Sequence, residues 1–572
     1  MQWDLKVLFE SEAACEQSAQ QLLAEAEAFN TAFAGRLEEL SAAEFVEALK
    51  ELERLEEWLA RVESYAGLSF SLDTTRGAFL AKFEELANDI SQQLLFFAIE
   101  FTKLGEEKRA EFTNADERFC YFLQNLAKQK PYTLSQEVES VLVKVGNVGK
   151  NSWSRLFDET LSSAKFEFDG KFLGEEELLA KLHHPQSKVR KEASESLSKT
   201  LTQHSHLLTF IFNMIRRDLK NSCELRGYET PESSRHISNQ ISKSSVDALI
   251  GAVEERFNIS KEYYALKREI LGVEELFDYD RYAPFEASGE EFSFEEAKGI
   301  VLEAFGRFSP TFESLALEAF DGGWIDAMPK QNKQGGAFSH SAVSSAHPFV
   351  LLNFTNNRRD IFTLAHELGH AIHQKLAYSV GYFNSHTPLV TAETASVFCE
   401  MLTFDYIFNK TAEKKERQAL LGGKIEDIFA TLFRQINFTT FEREIHAREG
   451  ELSSEELGEI WLKHSKKMFE GSLTLTPNYK ICYSYIPHFI HTPFYCYAYS
   501  YAQLLVLALF GLYKNGQFRD FISLYVEFLS AGGSRSPQEL VAKFGFDLNS
   551  SEFWQIGLDY VASLVEEFRK LR

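Results

Sequence analysis

The chain has 572 residues, of which 44% are hydrophobic and 14% aromatic, and a formal net charge of −24. This composition predicts a globular protein with a large core and excludes a disordered chain. The acidic balance argues against a nucleic-acid partner, because neutralising phosphates requires lysine and arginine.

Helical patterns dominate the first half of the chain. Residues 11–65 predict two long helices broken near 33–35, and residues 75–128 predict two more. The charged run 105–111 is typical of a solvated turn. Helices are expected again from 174 to 219, and one long amphipathic helix from 246 to 271. With only 12 prolines in the whole chain, this pattern predicts a mostly α fold.

Sheet patterns are short and local. Alternation around Asp169-Gly170 predicts a small hairpin at 165–172. A second pattern at 348–354 predicts a strand that ends in the Asn356-Asn357 turn. Two interpretations of that strand are open. It is an edge that binds an extended peptide through its backbone groups, or it is an ordinary strand of a small α+β region.

The most informative stretch is His366-Glu367-Leu368-Gly369-His370 in a predicted helix. Positions i and i+4 share one helical face, so His366 and His370 point the same way and suit a Zn²⁺ ion. Glu367 is then placed to act as general base. The interpretation without a metal is a pair of histidines on an ordinary core helix.

A zinc site needs a third protein ligand. A His-Glu-x-x-His-x-x-Gly-x-x-His pattern is excluded, because His373 and Leu376 occupy the glycine and final histidine positions. The predicted helix 391–401 instead offers two glutamates seven residues apart, on one face. We expect Glu393 to be the third ligand and Glu400 to orient an imidazole of the site. The alternative is that both glutamates lie on a solvated helix face.

Five tyrosines and two histidines crowd residues 485–501. Alternating tyrosines are also compatible with a strand, but the apolar run that follows predicts a helix with Tyr495 and Tyr499 on one face. Phenol and imidazole donors can stabilise an oxyanion. The alternative is that these side chains line a packed seam between helices.

With these motifs in place, nearly the whole chain resembles oligoendopeptidase F, of the thimet-oligopeptidase-like zinc peptidases. The resemblance rests on 365–370 and 392–396 at the zinc motif and on shorter matches elsewhere. Those shorter matches are 3–5, 152–157, 189–193, 226–228, 336–338 and 532–537.

The resemblance implies a fold of two helical lobes that enclose an internal substrate cavity, with a small β-sheet beside the helix of a gluzincin active site. We expect an N-terminal helical lobe at 1–200 and a catalytic region at 201–572.

The resemblance also implies roles for particular residues. His366, His370 and Glu393 are the expected ligands of one Zn²⁺ per chain, and Glu367 is the expected base. The expected donors to the oxyanion are His488, Tyr495 and Tyr499, with His491 or Tyr497 as replacements. Gly336, Ala337 and Phe338 are expected to bind substrate.

The predicted function is zinc-dependent endopeptidase cleavage of short unfolded oligopeptides. The alternatives are a zinc carboxypeptidase or dipeptidase of the same fold, or a non-catalytic peptide-binding helical protein. The six scattered cysteines are typical of free thiols in a reducing compartment. The first ten residues carry charges and lack an apolar segment of signal length, so we expect a cytoplasmic protein without a membrane partner. A monomer is compatible with the sequence.

Overall fold

The computed structural model describes residues 2–285, 289–516 and 518–572. It divides the chain into two compact units, each assembled from three stretches. Unit 1 comprises Met1–Lys130, Gly289–Asn409 and Gln517–Gly545, and unit 2 comprises Pro131–Ser288, Lys410–Gly516 and Phe546–Arg572. The single boundary expected near residue 200 stays a prediction.

The first stretch of unit 1 is helical throughout. Its helices are α1 (Glu12–Phe33), α2 (Ala42–Leu72), α3 (Gly77–Leu94), α4 (Phe96–Lys103), α5 (Glu106–Thr113) and α6 (Glu117–Gln129), with 3₁₀ turns at Leu5–Val7, Leu37–Glu39, Thr74–Arg76 and Lys130–Tyr132. The break between α1 and α2 is confirmed. The expected solvated turn at 105–111 is wrong: it forms α5, whose Phe112 stacks on Phe45 with ring centroids 3.9 Å apart.

The first stretch of unit 2 contains the predicted hairpin. Its elements are α7 (Gln136–Gly146), α8 (Lys150–Ser163), β1 (Phe166–Phe168), β2 (Lys171–Leu173), α9 (Glu175–Lys181), α10 (Ser187–Gln203), α11 (Ser205–Arg226), α12 (Ser233–Ser238), α13 (Lys243–Glu255) and α14 (Asn258–Leu271), with a 3₁₀ turn at Asp278–Asp280. Strands β1 and β2 pair antiparallel across Asp169-Gly170, both with positive φ. The single helix expected at 246–271 is wrong, since α13 ends at Glu255 and α14 begins at Asn258.

The middle stretch of unit 1 carries the second sheet. Its elements are α15 (Phe294–Phe308), α16 (Pro310–Asp321), β3 (Ile325–Asp326), β4 (Phe338–His340), β5 (Phe349–Leu351), α17 (Arg358–Ala377), α18 (Tyr382–Ser385), α19 (Leu389–Ala392) and α20 (Thr394–Lys410), with a 3₁₀ turn at Tyr378–Val380. The strand order is β3-β5-β4, with β5 parallel to β3 and antiparallel to β4.

Two buried polar contacts hold this sheet in unit 1. Trp3 donates its indole N–H to the carbonyl oxygens of Trp324 and Val350, at 2.8 and 3.0 Å. The Lys333 ammonium is buried and pairs with Asp326 at 2.7 Å. A buried charge needs such a partner, so this pair fixes the loop between β3 and β4.

The remaining helices alternate between the two units. Unit 2 contains α21 (Lys414–Thr431), α22 (Phe433–Ala447), α23 (Ser454–Phe469), α24 (His488–His491) and α25 (Tyr497–Lys514), with a 3₁₀ segment at Pro477–Tyr485; unit 1 contains α26 (Phe521–Ser530) and α27 (Pro537–Ala542); unit 2 ends with α28 (Ser551–Lys570). The mostly α fold with a small sheet is confirmed. Among the described residues, no helix combines the length and apolar character needed to cross a membrane.

Candidate metal centre

Helix α17 presents His366 and His370 one turn apart, as the sequence predicts. Asn357 caps the helix through a capping box with Asp360, which satisfies backbone groups of the first turn. The two imidazole rings lie with centroids 4.9 Å apart. Glu367 lies between them in sequence and its side chain is largely buried.

Glu393 meets both histidines. Its Oε2 lies 3.3 Å from His366 Nε2 and 3.4 Å from His370 Nε2. Ser396 Oγ donates a 2.7 Å hydrogen bond to the same oxygen. The expected helix over 391–401 is wrong at this point, because Glu393 lies in a turn between α19 and α20. The turn still brings its carboxylate to the histidines.

These three residues fit a tetrahedral metal ion. Their ligand atoms all lie within 4.8 Å of one another. Bonds of about 2.0–2.1 Å at tetrahedral angles place neighbouring ligand atoms about 3.4 Å apart. The two measured separations, 3.3 and 3.4 Å, match that spacing. Two imidazoles and one carboxylate are also a donor set that Zn²⁺ uses, with a fourth position left for water or substrate.

Glu400 approaches the opposite nitrogen of His366. Its Oε2 lies 3.3 Å from His366 Nδ1. A carboxylate can only accept a hydrogen bond, so this contact favours a proton on Nδ1 and, in the neutral imidazole, leaves the lone pair of Nε2 for a metal. The orientation is the one that a metal at Nε2 requires.

The charged groups of the centre shift one another's pKa values. Burial lowers the pKa of His366, but hydrogen bonds to Glu393 and Glu400 outweigh it and raise the pKa to about 10. Burial also raises the pKa of Glu393, yet the two histidines hold it well below its usual range. Burial raises the pKa of Glu367.

A close helix contact in unit 1, missed from the sequence, positions Glu393. A Cβ atom at Gly369 would lie 2.6 Å from both Ala395 O and Ser396 Cα. Only glycine lets α17 approach the start of α20 this closely, which brings Glu393 beside the histidines. A glycine inside a helix costs stability, and that was the one signal in the sequence.

The predicted donors form a cluster within unit 2. His488 Nε2 lies 3.4 Å from Tyr499 Oη, and the Tyr495 and Tyr499 rings meet edge to face at 5.1 Å. The two proposed replacements have other partners. His491 pairs with Asp158 at 2.8 Å, and buried Tyr497 accepts a 2.9 Å hydrogen bond from Asn239.

A buried carboxyl, also missed from the sequence, supports the loop of this cluster. Glu442 on α22 accepts a 2.8 Å hydrogen bond from Phe494 N, and its other oxygen has no hydrogen-bond partner among the described residues. Phe494 has a φ of +59°, a left-handed conformation that costs energy in a residue with a bulky side chain. Burial raises the pKa of Glu442 to about 8.

The expected substrate residues lie at an edge of the sheet of unit 1. The predicted strand at 348–354 is confirmed as β5 and is central in the sheet, so of its two interpretations the peptide-binding edge is wrong. One of the two edge strands is β4, which begins at Phe338 and pairs with β5 on one side. Gly336 precedes it with φ +81°, and its carbonyl accepts a 2.9 Å hydrogen bond from Asn353. Substrate binding by Gly336, Ala337 and Phe338 stays a prediction.

Comparisons with known proteins agree with this architecture. The family model described as Peptidase family M3 matches residues 180–560, and one described as Oligopeptidase F matches residues 100–166.

Two curated relatives match most of the chain. Oligopeptidase PepF of Bacillus subtilis (strain 168) is 27% identical over 90% of this chain and 78% of its own length. An oligoendopeptidase F homolog of Lactococcus lactis subsp. lactis is 25% identical over 100% of this chain and 97% of its own.

Two solved structures share the fold. A crystal structure of a Chlamydophila abortus protein has a TM-score of 0.90 at 22% identity, covering 100% of this chain and 98% of its own. The crystal structure of oligoendopeptidase-F from Enterococcus faecium has a TM-score of 0.71 at 21% identity, covering 97% and 98%.

Proposed function

This chain belongs to peptidase family M3, and from that premise we propose that it is a zinc-dependent endopeptidase of short unfolded oligopeptides. Peptidase activity follows from the family. The metal, the mode of cleavage and the residue roles are the proposal. One observation carries it: His366, His370 and Glu393 converge at tetrahedral ligand spacing beside Glu367.

His366 Nε2, His370 Nε2 and Glu393 Oε2 would hold one Zn²⁺ per chain. The bound ion would supply Lewis acidity and a water molecule of lowered pKa. Glu400 orients His366 by accepting a hydrogen bond from its Nδ1–H. Ser396 keeps the Glu393 carboxylate turned toward the histidines.

Glu367 handles the proton in this proposal. Its carboxylate accepts a proton from the attacking water and then delivers it to the leaving amine nitrogen. His488, Tyr495 and Tyr499 donate hydrogen bonds to the developing oxyanion, and each such donor is worth roughly 3 kcal/mol of barrier. Backbone pairing along the edge that begins at Phe338 would align the peptide. A cytoplasmic location remains part of the proposal.

The test uses an internally quenched peptide of about nine residues with both ends blocked, assayed with a chelator and after zinc is added back. We expect internal cleavage that the chelator abolishes and zinc restores. Cleavage only of peptides with a free terminus would support an exopeptidase instead. No cleavage of either peptide, with one zinc bound, would support the binding-protein alternative.

A pair of variants isolates the base. Glu367→Gln should retain one zinc per chain by metal analysis and lose about 10²–10⁴-fold in kcat. Glu84→Gln, at an exposed glutamate of α3, is the matched control and should keep full activity. Turnover of Glu367→Gln near the wild-type rate would remove Glu367 from the mechanism.

A further inference from the structure

Unit 2 contains a cavity whose polar wall is cationic. The cavity has a volume of about 40 Å³. At about 10–15 Å³ per water, it can hold roughly three water molecules. Arg281, Tyr282 and Arg434 line one wall, and Phe429 and Phe433 are among the apolar residues that line the rest.

The two guanidinium groups converge on one phenol. Arg281 Nη2 donates to Tyr282 Oη at 3.1 Å, and Arg434 Nη1 donates to the same oxygen at 2.9 Å. Arg281 Nη1 also donates to Tyr479 Oη at 3.0 Å. These phenols are neutral acceptors, so they do not compensate two buried positive charges.

Most N–H donors of the two guanidinium groups have no acceptor among the described residues. Each guanidinium carries five N–H donors, and the described residues accept only three of the combined set. Arg281 Nε is fully buried with no partner. Both arginines are half-buried, and both line the cavity.

The carboxylates near the two arginines have other partners. Glu426 also lines the cavity, but it forms an ion pair with buried Lys267 and accepts a 2.6 Å hydrogen bond from Tyr263. Asp278 accepts a 2.7 Å hydrogen bond from Thr476 N. Within the described ranges, no carboxylate lies within ion-pair distance of either arginine. The cavity therefore keeps an excess of positive charge.

The neighbouring phenol responds to that charge. Burial raises the pKa of Tyr282, but Arg281 and Arg434 outweigh burial and lower the pKa overall. Anything that enters the cavity meets the same positive potential.

We propose that Arg281 and Arg434 form a binding site for a carboxylate group. The planar guanidinium fork matches a carboxylate. Both arginines line the cavity and carry N–H donors that no described residue accepts. A carboxylate group is about the size of the roughly three water molecules that the cavity can hold. Phe429 and Phe433 also line the cavity and would contact the carbon attached to that group.

The carboxylate has two possible sources, the C-terminus of a peptide and a short free acid. The peptide source rests on the proposed function. It is favoured by the contact between Arg281 and Tyr479, because Tyr479 lies in the 3₁₀ segment Pro477–Tyr485 that leads into His488. Arg434 also adds to the lowering of the pKa of His488 by burial. His488 belongs to the proposed donor cluster, so a carboxylate held here would be near the residues assigned to the reaction.

A binding experiment tests the site without using turnover. Propionate and its neutral analogue propionamide are titrated at constant ionic strength, and the thermal midpoint is followed. We expect propionate alone to raise the midpoint of the wild type. Arg281→Met and Arg434→Lys should each weaken propionate binding about 10- to 100-fold, as expected for lost hydrogen bonds to a charged group.

Two variants serve as checks on folding and charge. Arg434→Lys keeps the positive charge but not the planar guanidinium group. If Arg281→Met does not fold, propionate binding by Arg434→Lys alone tests the proposal. Arg217→Met, at an exposed arginine of α11 that pairs with Glu451 at 3.3 Å, is the matched control and should bind like the wild type. Equal effects of propionate and propionamide on the wild type would overturn the proposal, whatever the peptidase assay shows.

A kinetic arm distinguishes the two sources. Peptides ending in a carboxylate and in an amide are compared by kcat/KM. A preference for the acid of about tenfold or more, reduced in both arginine variants, supports the peptide source. Specific propionate binding without any acid preference supports the free-acid source.

Discussion

Gly369→Ala should disturb the metal centre without touching any ligand. The added Cβ atom would lie 2.6 Å from Ala395 O and from Ser396 Cα, which are backbone atoms that cannot rotate away. Ordinary contact begins at 3.4 Å, so α17 and α20 must separate by about 0.8 Å. Glu393 directly precedes α20, and its carboxylate would move away from the two histidines.

The size of the effect follows from that displacement. Overpacking lowers the free energy of unfolding by typically about 1–3 kcal/mol. Replacing a helical glycine by alanine returns about 0.5–1 kcal/mol of that loss, because alanine has the higher helix propensity. We therefore expect a net loss of roughly 1–2 kcal/mol. Weakening the support of a metal ligand lowers metal affinity about 10- to 100-fold. A misplacement near 1 Å can cost about 10²-fold in rate.

The assay has three readouts: zinc affinity by competition with a chelator, kcat/KM on the blocked peptide, and the midpoint of chemical unfolding. Gly67→Ala is the matched control, because Gly67 lies inside helix α2 of the same unit with no atom near its added Cβ. It should leave zinc and turnover unchanged and stabilise the protein by at most about 1 kcal/mol.

Wild-type zinc affinity and turnover in Gly369→Ala would refute this reasoning. They would mean either that the two helices are not in contact at this point or that Glu393 is not a ligand. The stability of the variant separates these two cases. If Gly369→Ala loses stability but keeps zinc affinity and turnover, the helices are in contact at this point but the contact does not position a metal ligand.

Three further predictions concern other contacts. Glu400→Gln should weaken zinc affinity about 10- to 100-fold in chelator competition, because the carboxylate that orients His366 is lost. Tyr499→Phe should lower kcat on the blocked peptide by about 10²–10³-fold with zinc content unchanged, and a wild-type rate would exclude this phenol as a donor. Glu442 has a folded pKa of about 8, above its ordinary 4.5, so the folded state holds the extra proton and wild-type stability falls from pH 5 to pH 8. The Glu442→Gln side chain stays neutral and can still accept the hydrogen bond from Phe494 N. Denaturant unfolding should therefore show that the stability of the variant, relative to the wild type, increases from pH 5 to pH 8.

Helices with a strong local pattern were predictable from the sequence. The i, i+4 spacing of His366 and His370 places them correctly on α17, since a helix has a fixed period. The sequence predicts that Glu393 joins the two histidines, and the structure brings the three together, but the sequence did not predict the conformation of Glu393. A residue in a turn between two short helices has no periodic signal, and the contact at Gly369 that fixes it is tertiary.

Other misses have the same physical origin. Nothing local ends a helix at Arg256, but its guanidinium donates to Gln555 and Asp559 of α28. Helix α5 forms in a charged stretch because Phe112 at its end packs on Phe45. The edge role of β4 depends on which strand pairs with β5, which a three-residue strand does not reveal. In each case a distant residue decides the local structure.

The interleaving of the two units constrains how the protein can be made. Tyr525 on α26 donates a 2.7 Å hydrogen bond to Thr394 O at the start of α20, so unit 1 is incomplete until residues past 520 have been synthesised. Unit 2 is completed later, when α28 has been synthesised, because Trp554 on α28 packs against Tyr501 on α25 with ring centroids 4.8 Å apart. Each unit therefore needs residues that are translated after most of the other unit. Successive domains of an ordinary multidomain chain differ, because each can fold before the next is made. A stop codon placed after residue 516 would therefore leave both units with exposed apolar helix faces, and would release a substrate for chaperones and proteases.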